Sequence, residues 1–374
     1  MRALFVQPCL PAYRVPFFRK LGQTGRVEVE VWCDLEDRGS LRSVVTSDFR
    51  VAHFRERTFG PFRSQPALLR AAATRATDVL IFPWNTRYLE LVPALVLARS
   101  RGIPVLLWGH GYSKHEAPLR RKLRNWVAGL GQGIVLYARS QAEVFLAEGF
   151  PQAKVFVSQN AIDREPIEKA LGAPREDERL KTIPAEDKVI VFSSRLEPDK
   201  KPGLLLEALT LVRKSLPARL IFLGDGPLLE LLKQEAKRLG LEPHVEFLGA
   251  EYDETKIAPI MRRAHVFAYP AAIGLSLLHA FHYGLPVITS DDYSSHNPEI
   301  EALIPGENGE VFVDGSAEDF ARVLVSVLED EPHRIRLSRG ALETVTRPGG
   351  YTLNQMVEGM QRAIQTVYRA PRSK

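Results

Sequence analysis

The feature that most restricts what this chain can fold into is an alternation. Short apolar runs, too brief for anything but strands, are separated along nearly the whole sequence by helical segments. The clearest unit spans residues 265–289. Residues 265–269 are apolar and aromatic, as suits a buried parallel strand. A turn with Pro270 and Gly274 follows. Residues 275–283 have helical periodicity, with Leu275, Leu278 and Phe281 on one side. Gly284 suits the helix stop, and residues 285–289 read as the next strand. In such a unit the helix N-terminus lies beyond the strand ends, and its free N–H groups favour a phosphate. A crossover that binds nothing has the same pattern, so the rest of the chain has to decide.

The same rhythm predicts strands at 2–7, 27–33, 78–82, 104–108, 133–137 and 154–157. Helices fall at 13–21, 65–75, 87–101, 119–130 and 140–148. Residues 163–187 are charged, carry Pro166, Pro174 and Pro184, and read as a connection. A second series has strands at 189–193, 219–223, 244–248, 265–269 and 285–289. Its helices are at 203–216, 228–239, 255–263, 275–283, 317–329 and 332–345. The break Arg347-Pro348-Gly349-Gly350 precedes one last helix at 352–369. This is the α/β class, with two doubly wound parallel sheets. A chain of 374 residues also exceeds one comfortable core. The expected division is a first domain at 1–165, a linker at 166–187, a second domain at 188–346 and a crossover helix at 347–374. Facing sheets would set their strand ends across a cleft, where such folds bind ligands.

Charge narrows the partners. The formal net charge is +5 and the pI about 9.1. That mild bias suits an anionic ligand or membrane surface and gives no reason to expect nucleic acid. Cys9 and Cys33 form no CxxC pair, which fits a reducing, cytoplasmic setting. Pro8 and Pro11 interrupt the first apolar run, so it reads as a strand and not a signal peptide.

Several groups could carry chemistry. Arg195 offers a planar fork and Lys200 a flexible point charge, in one loop after a strand. Their spacing lets both reach a single diphosphate; a solvated charged loop would look the same. Gly224 and Gly226, with Pro227, allow close backbone approach at the next strand end. No GxGxxG follows the first strand and no GxxxxGK[ST] occurs, which argues against a nicotinamide dehydrogenase and a P-loop kinase. His110 lies between Gly109 and Gly111, accessible and sterically free. His279 and His282 are three apart on one helix, with His296 and Glu299 downstream, but no zinc spacing supports a metal site. Residues 119–130 place Arg120, Arg121, Lys122 and Arg124 beside Leu119, Leu123, Trp126, Val127 and Leu130. A basic amphipathic helix with tryptophan can lie on an anionic bilayer, or can have simply one solvated and one buried face.

Taken together, these motifs resemble the retaining glycosyltransferases of family 4, which have the GT-B fold. Arg195-Leu196 with Lys200 is similar to that family's GRLxxxKG element, and Gly224–Pro227 to its GDGP turn. Ile273-Gly274-Leu275, His279-Ala280 and Gly284-Leu285-Pro286-Val287 resemble its FGL…EA…G-PV signature. Asn160–Asp163 resembles its asparagine-containing element. Pro11–Arg14 and Trp108–Gly111 resemble a subgroup that makes cell-surface glycans.

The resemblance implies two facing Rossmann-like domains, with the last helix crossing back to the first. It implies a nucleotide-diphosphate-sugar donor, UDP- or GDP-linked, and a saccharide or lipid-linked acceptor in polysaccharide or lipopolysaccharide synthesis. Arg195 and Lys200 would neutralise the diphosphate. Backbone N–H groups around Gly274, Leu275 and Ser276 would hold phosphate or sugar oxygens, near Gly224 and Gly226. His110 would contact the donor sugar. No metal or other cofactor is implied, because fixed cations stabilise the leaving diphosphate. The family's two glutamates, however, read Ala271 and His279 here. His279 can still hydrogen-bond a ribose, and Glu299 offers a carboxylate further on. The expected activity is sugar transfer, with stereochemical retention, at the cytoplasmic face of a membrane and with contact through 119–130. The alternatives are a sugar-nucleotide epimerase of similar fold and a non-catalytic nucleotide-sugar binding protein.

Overall fold

The computed structural model describes residues 1–35, 43–74, 76–111, 118–172 and 186–369. It resolves into two compact units. One comprises Met1–Asn160 and Leu353–Lys374, the other Ala161–Thr352.

In the first unit the described elements are β1 (Arg2–Cys9), α1 (Val15–Gln23), β2 (Glu28–Asp34), β3 (Arg50–His53), β4 (Arg57–Phe59) and β5 (Phe62–Ser64). They continue with α2 (Ala67–Ala73), β6 (Val79–Pro83), α3 (Leu91–Ser100), β7 (Val105–Gly109) and α4 (Pro118–Leu130). β8 (Gly133–Leu136), α5 (Arg139–Ala147) and β9 (Val155–Val157) complete the series. Seven strands form one sheet in the order β3-β2-β1-β6-β7-β8-β9, parallel throughout. β4 and β5 make a separate antiparallel hairpin. Every residue of β6, β7 and β8 is buried, which is why these strands read as unbroken apolar runs.

The second unit begins with α6 (Glu165–Gly172), then β10 (Lys188–Ser193), α7 (Gly203–Val212), β11 (Ala218–Leu223), α8 (Leu229–Arg238) and β12 (Val245–Gly249). It goes on through α9 (Glu254–Arg263), β13 (Val266–Tyr269), α10 (Leu275–His282), β14 (Val287–Ser290), β15 (Gly309–Phe312), α11 (Ala317–Glu329) and α12 (Glu331–Thr346). Its sheet runs β12-β11-β10-β13-β14-β15, again parallel. One large core fills the space between this sheet and its helices.

The last helix, α13 (Leu353–Arg369), belongs to the first unit. It buries Met356, Val357, Met360, Ala363, Ile364 and Val367, a spacing of three and four that makes one apolar stripe. Gly359 lets it approach closely: a Cβ there would lie 2.3 Å from the Val157 carbonyl oxygen. Ser158 Oγ donates to the Met356 carbonyl at 2.7 Å.

Three sequence expectations change. The connection expected at 166–187 is helical at its start. Pro166 sits in the first turn of α6, where a missing N–H costs nothing. Ile167 and Ala170 are buried, and the α6 end meets α9, where Arg262 Nη1 donates to the Leu171 carbonyl at 3.4 Å. Residues 173–185 of that connection lie outside the described residues. The helix expected at 87–101 starts only at Leu91, because Tyr88 is held by a 2.9 Å hydrogen bond from its hydroxyl to Glu56. Finally, β3, β15 and the β4–β5 hairpin were not legible. They are short; β3 and the hairpin are exposed or half-buried throughout, and β15 is half-buried at its two central residues.

Candidate active site

The second sheet has a topological switch point. The chain leaves β10 toward β11 and β12, then returns beside β10 as β13 and continues outward to β15. Open α/β sheets bind ligands in the crevice beyond the strand ends at such a point. The loops after β10 and β13, which carry Arg195, Lys200 and Gly274, flank it here.

The loop after β10 is held on three sides. Ser194 Oγ accepts from the Tyr269 hydroxyl at 2.7 Å, and burial pushes that phenol well above its ordinary range. Leu196 N–H donates to the Asp225 carbonyl at 2.9 Å, and Leu228 N–H to the Leu196 carbonyl at 3.1 Å. This contact explains Gly224 and Gly226. A Cβ on Gly224 would lie 1.8 Å from the Ser194 carbonyl oxygen, and one on Gly226 would lie 2.6 Å from that of Leu196. The glycines therefore admit the neighbouring loop, where the sequence suggested a ligand. The contact fixes the backbone on either side of Arg195. Arg195 is half-exposed, with Glu197 beside it at 2.5 Å.

A 3-10 turn, Pro198–Lys200, brings Lys200 inward. Its Nζ donates to the Ala272 carbonyl at 3.1 Å and pairs with Asp199 at 2.9 Å. Ala272 and Lys201 both have positive φ, 53° and 49°. For residues with a Cβ this costs energy, and such strain collects at functional loops. The Ala272 carbonyl also receives Asn297 Nδ2 at 3.4 Å. Next to it, Gly274 caps α10 with no side-chain hydrogen bond, and a Cβ there would lie 2.9 Å from Asn297 Nδ2. The Lys200 ammonium and the N-terminus of α10, with Leu275 and Ser276 in its first turn, thus converge on one loop.

His296 fixes that loop from behind. It is buried, and its Nδ1 accepts from Ile273 N–H at 3.1 Å. That leaves the proton on Nε2, which lies 3.0 Å from the Ser290 carbonyl. Glu299 follows in a 3-10 helix, Pro298–Ala302, and is buried. Ala271, at the position of the family's first glutamate, is a buried methyl group.

His279 faces a carboxylate that the sequence gave no reason to place there. Its Nε2 lies 2.9 Å from Glu254 Oε1, and the Tyr283 hydroxyl donates to Glu254 Oε2 at 2.5 Å. Glu254 opens α9, next to the capping Asp253. Burial, the largest influence, works to raise the Glu254 carboxyl; the hydrogen bonds and charge from His279 and Tyr283 outweigh it and leave the group lowered. His282 goes the other way. It is buried, and neither ring nitrogen meets a partner among the described residues. Burial pushes it down to about 4, with Arg164 and His279 adding to the effect, so it is a neutral core histidine.

In the first unit, His110 follows β7 and is exposed, its ring 4.7 Å from that of Tyr137. A Cβ on Gly109 would lie 2.8 Å from Trp84 Cβ. Gly111 has φ +82°; its carbonyl accepts from Trp84 Nε1 at 3.0 Å and from the Arg124 guanidinium. Arg124 is therefore buried and structural, which corrects its place on the basic face of the 119–130 helix. The exposed residues of α4 include Leu119, Arg120, Lys122, Leu123 and Trp126.

Residues 174–344 match the family described as Glycosyl transferases group 1. The match lies in the second unit, covers just under half of the chain, and gives that part a group 1 glycosyltransferase domain. It is 26% identical over 269 residues to a GDP-mannose-dependent alpha-(1-6)-phosphatidylinositol monomannoside mannosyltransferase of Mycobacterium tuberculosis, covering 68% of each chain. Among solved structures, a glycosyltransferase from Rickettsia africae aligns with TM-score 0.74 at 15% identity, over 99% of each chain. Anabaena Alr3699/HepE in complex with UDP-glucose aligns with TM-score 0.68 at 18% identity, over 98% of this chain and 100% of that one. The fold of this glycosyltransferase is accordingly GT-B, with two Rossmann-like units.

Proposed function

We propose that this glycosyltransferase moves a sugar from a nucleoside-diphosphate sugar to a saccharide or lipid-linked acceptor in cell-surface glycan synthesis, with retention at the anomeric carbon. The observation that carries the proposal is the convergence of Lys200, at 3.1 Å from the Ala272 carbonyl, with the uncapped α10 N-terminus. The departing diphosphate gains charge as the sugar becomes oxocarbenium-like. A fixed ammonium, a guanidinium on the tethered 194–197 loop and a helix N-terminus offer stabilisation there without reorganisation. Arg195 and Lys200 take the diphosphate oxygens, and N–H groups near Gly274, Leu275 and Ser276 the remaining phosphate or sugar oxygens. His279, with Glu254 behind it, takes the ribose; Glu299 and Gly224–Gly226 support the two loops. His110 is the first unit's contact to the transferred sugar. This assignment uses no metal ion.

UDP-glucose in the Anabaena structure and the GDP-mannose dependence of the mycobacterial relative support a nucleotide sugar as donor. Neither the epimerase nor the non-catalytic reading gains support from the site. The α4 face is proposed to meet an anionic membrane from the cytoplasmic side, through Leu119, Lys122, Leu123 and Trp126. No helix among the described residues is long and apolar enough to cross one.

The test is a thermal-shift screen with UDP, GDP, dTDP and their sugars, followed by NMR of the product's anomeric carbon. One nucleoside diphosphate should raise the unfolding midpoint. Lys200→Ala and Arg195→Ala should each weaken it by about 10-fold to 100-fold, the worth of a charge-assisted hydrogen bond. Unchanged affinity in both variants removes the two cations from the donor site.

A further inference from the structure

Arg14 is a charge that the reaction above does not use. It ends the 3-10 helix Ala12–Arg14, just beyond β1, and is 9% exposed. Its guanidinium lies over three aromatic rings: 4.8 Å from Trp108, 5.0 Å from Tyr137 and 5.4 Å from Tyr13. Its hydrogen-bond partner is a sulfur, Met356 Sδ at 3.9 Å from Nη1. No carboxylate pairs with it among the described residues. Trp108 is buried as well, and its Nε1 has no acceptor among them.

Burying a cation without a counter-charge costs several kcal/mol, which cation–π contacts offset only in part. A core filled by Leu or Met would avoid that cost. The position is also a switch point: from β1 the chain goes outward to β2 and β3, then returns beside it as β6. Tyr137 also links this cup to His110, whose ring lies 4.7 Å from its own. The cup thus holds an indole N–H with no acceptor among the described residues, an aromatic wall and a planar fork that meets a thioether sulfur.

We propose that Arg14 is an anion receptor, and that its ligand is the phosphate group of the acceptor, bound by the fork with Trp108 and Tyr137 as its walls. The assignment of this phosphate to an acceptor rests on the transferase reading given above. A soluble sugar phosphate and a phospholipid headgroup present the same chemistry.

The full chain is first saturated with whichever nucleoside diphosphate stabilises it, then titrated with inorganic phosphate, following tryptophan emission and unfolding midpoint. Wild type should respond in both. Arg14→Gln should lose about 10-fold or more in phosphate affinity with nucleotide affinity unchanged. If Arg14→Gln does not fold, Arg14→Lys decides, because it keeps the charge and loses the fork; wild-type affinity there overturns the proposal. No phosphate response in wild type while nucleotide binds overturns it, as does equal affinity in Arg14→Gln. Failure of every nucleotide to bind counts against the donor reading alone; a phosphate response lost in Arg14→Gln then still supports the receptor. Vesicles separate the sources. A preference for phosphatidylinositol over phosphatidylcholine vesicles that Arg14→Gln abolishes marks a lipid headgroup. Loss confined to inorganic phosphate marks a soluble ester.

Discussion

At Gly224 one added methyl group would lie 1.8 Å from the Ser194 carbonyl oxygen. Both backbones are fixed by the hydrogen bonds that tie this turn to the next loop, so the methyl has no flexible neighbour to displace. Gly224→Ala should therefore cost more than about 2 kcal/mol, measured by urea unfolding. It should also weaken nucleotide binding, although it removes no charged group. Wild-type nucleotide affinity would show that Arg195 needs no such support. Glu254 gives a pH-dependent test. Its folded-state pKa is lowered by the His279 and Tyr283 hydrogen bonds, against the pull of burial. The stability it contributes is present in full above its unfolded value and lost as the pH falls through the folded one. Glu254→Gln should thus unfold at a lower temperature than wild type at pH 7, with the difference closing under acid. A constant difference down to pH 3 would mean that packing, not charge, is what the substitution removes.

At the scale of the element, α10 was legible and α4 only half so. The α10 unit has periodicity, a turn glycine before it and Gly284 after it, and strongly apolar strands on either side, so propensity and packing agree. Its partner contacts were hidden because they are distant in sequence: nothing local links His279 to Glu254, or Lys200 to the Ala272 carbonyl. On α4, Arg124 looks like its basic neighbours. Only the tertiary fold shows it turned inward to the Gly111 carbonyl, with its guanidinium 5.6 Å from the Trp84 ring. What remains outside is an apolar strip, with Leu119 80%, Leu123 53% and Trp126 56% exposed. If this strip meets a bilayer, Leu123→Ser with Trp126→Ser should reduce sedimentation with anionic vesicles by about 10-fold or more. Thermal stability should hardly change. Equal sedimentation would leave the strip without a membrane role.

For the whole molecule, the two sheets were readable because parallel strands buried on both faces must be continuous apolar runs. β3 and β15, at one edge of each sheet, were not, since a few half-exposed residues carry little pattern. For the candidate site, the sequence showed where the charged loop and the glycine turns fall. It was opaque where one residue type has two uses: the glycines serve loop packing, and Arg14 looks like a helix-start cation. Deleting residues 353–374 strips the first unit of the α13 stripe. Calorimetry should then show that unit's transition lost or markedly lowered while the other unit's persists; two unchanged transitions would show that α13 is dispensable.

The membership of α13 in the first unit also sets an order of events during synthesis. A ribosome delivers the first unit's sheet before the whole of the second unit, yet the helix that covers that sheet comes only after it. The intervening unit has its complete sequence earlier and can close around its own core while the first still waits. Until α13 follows, the face awaiting it is open apolar surface, and the nascent enzyme should depend on chaperone protection in proportion to how slowly the intervening unit is made.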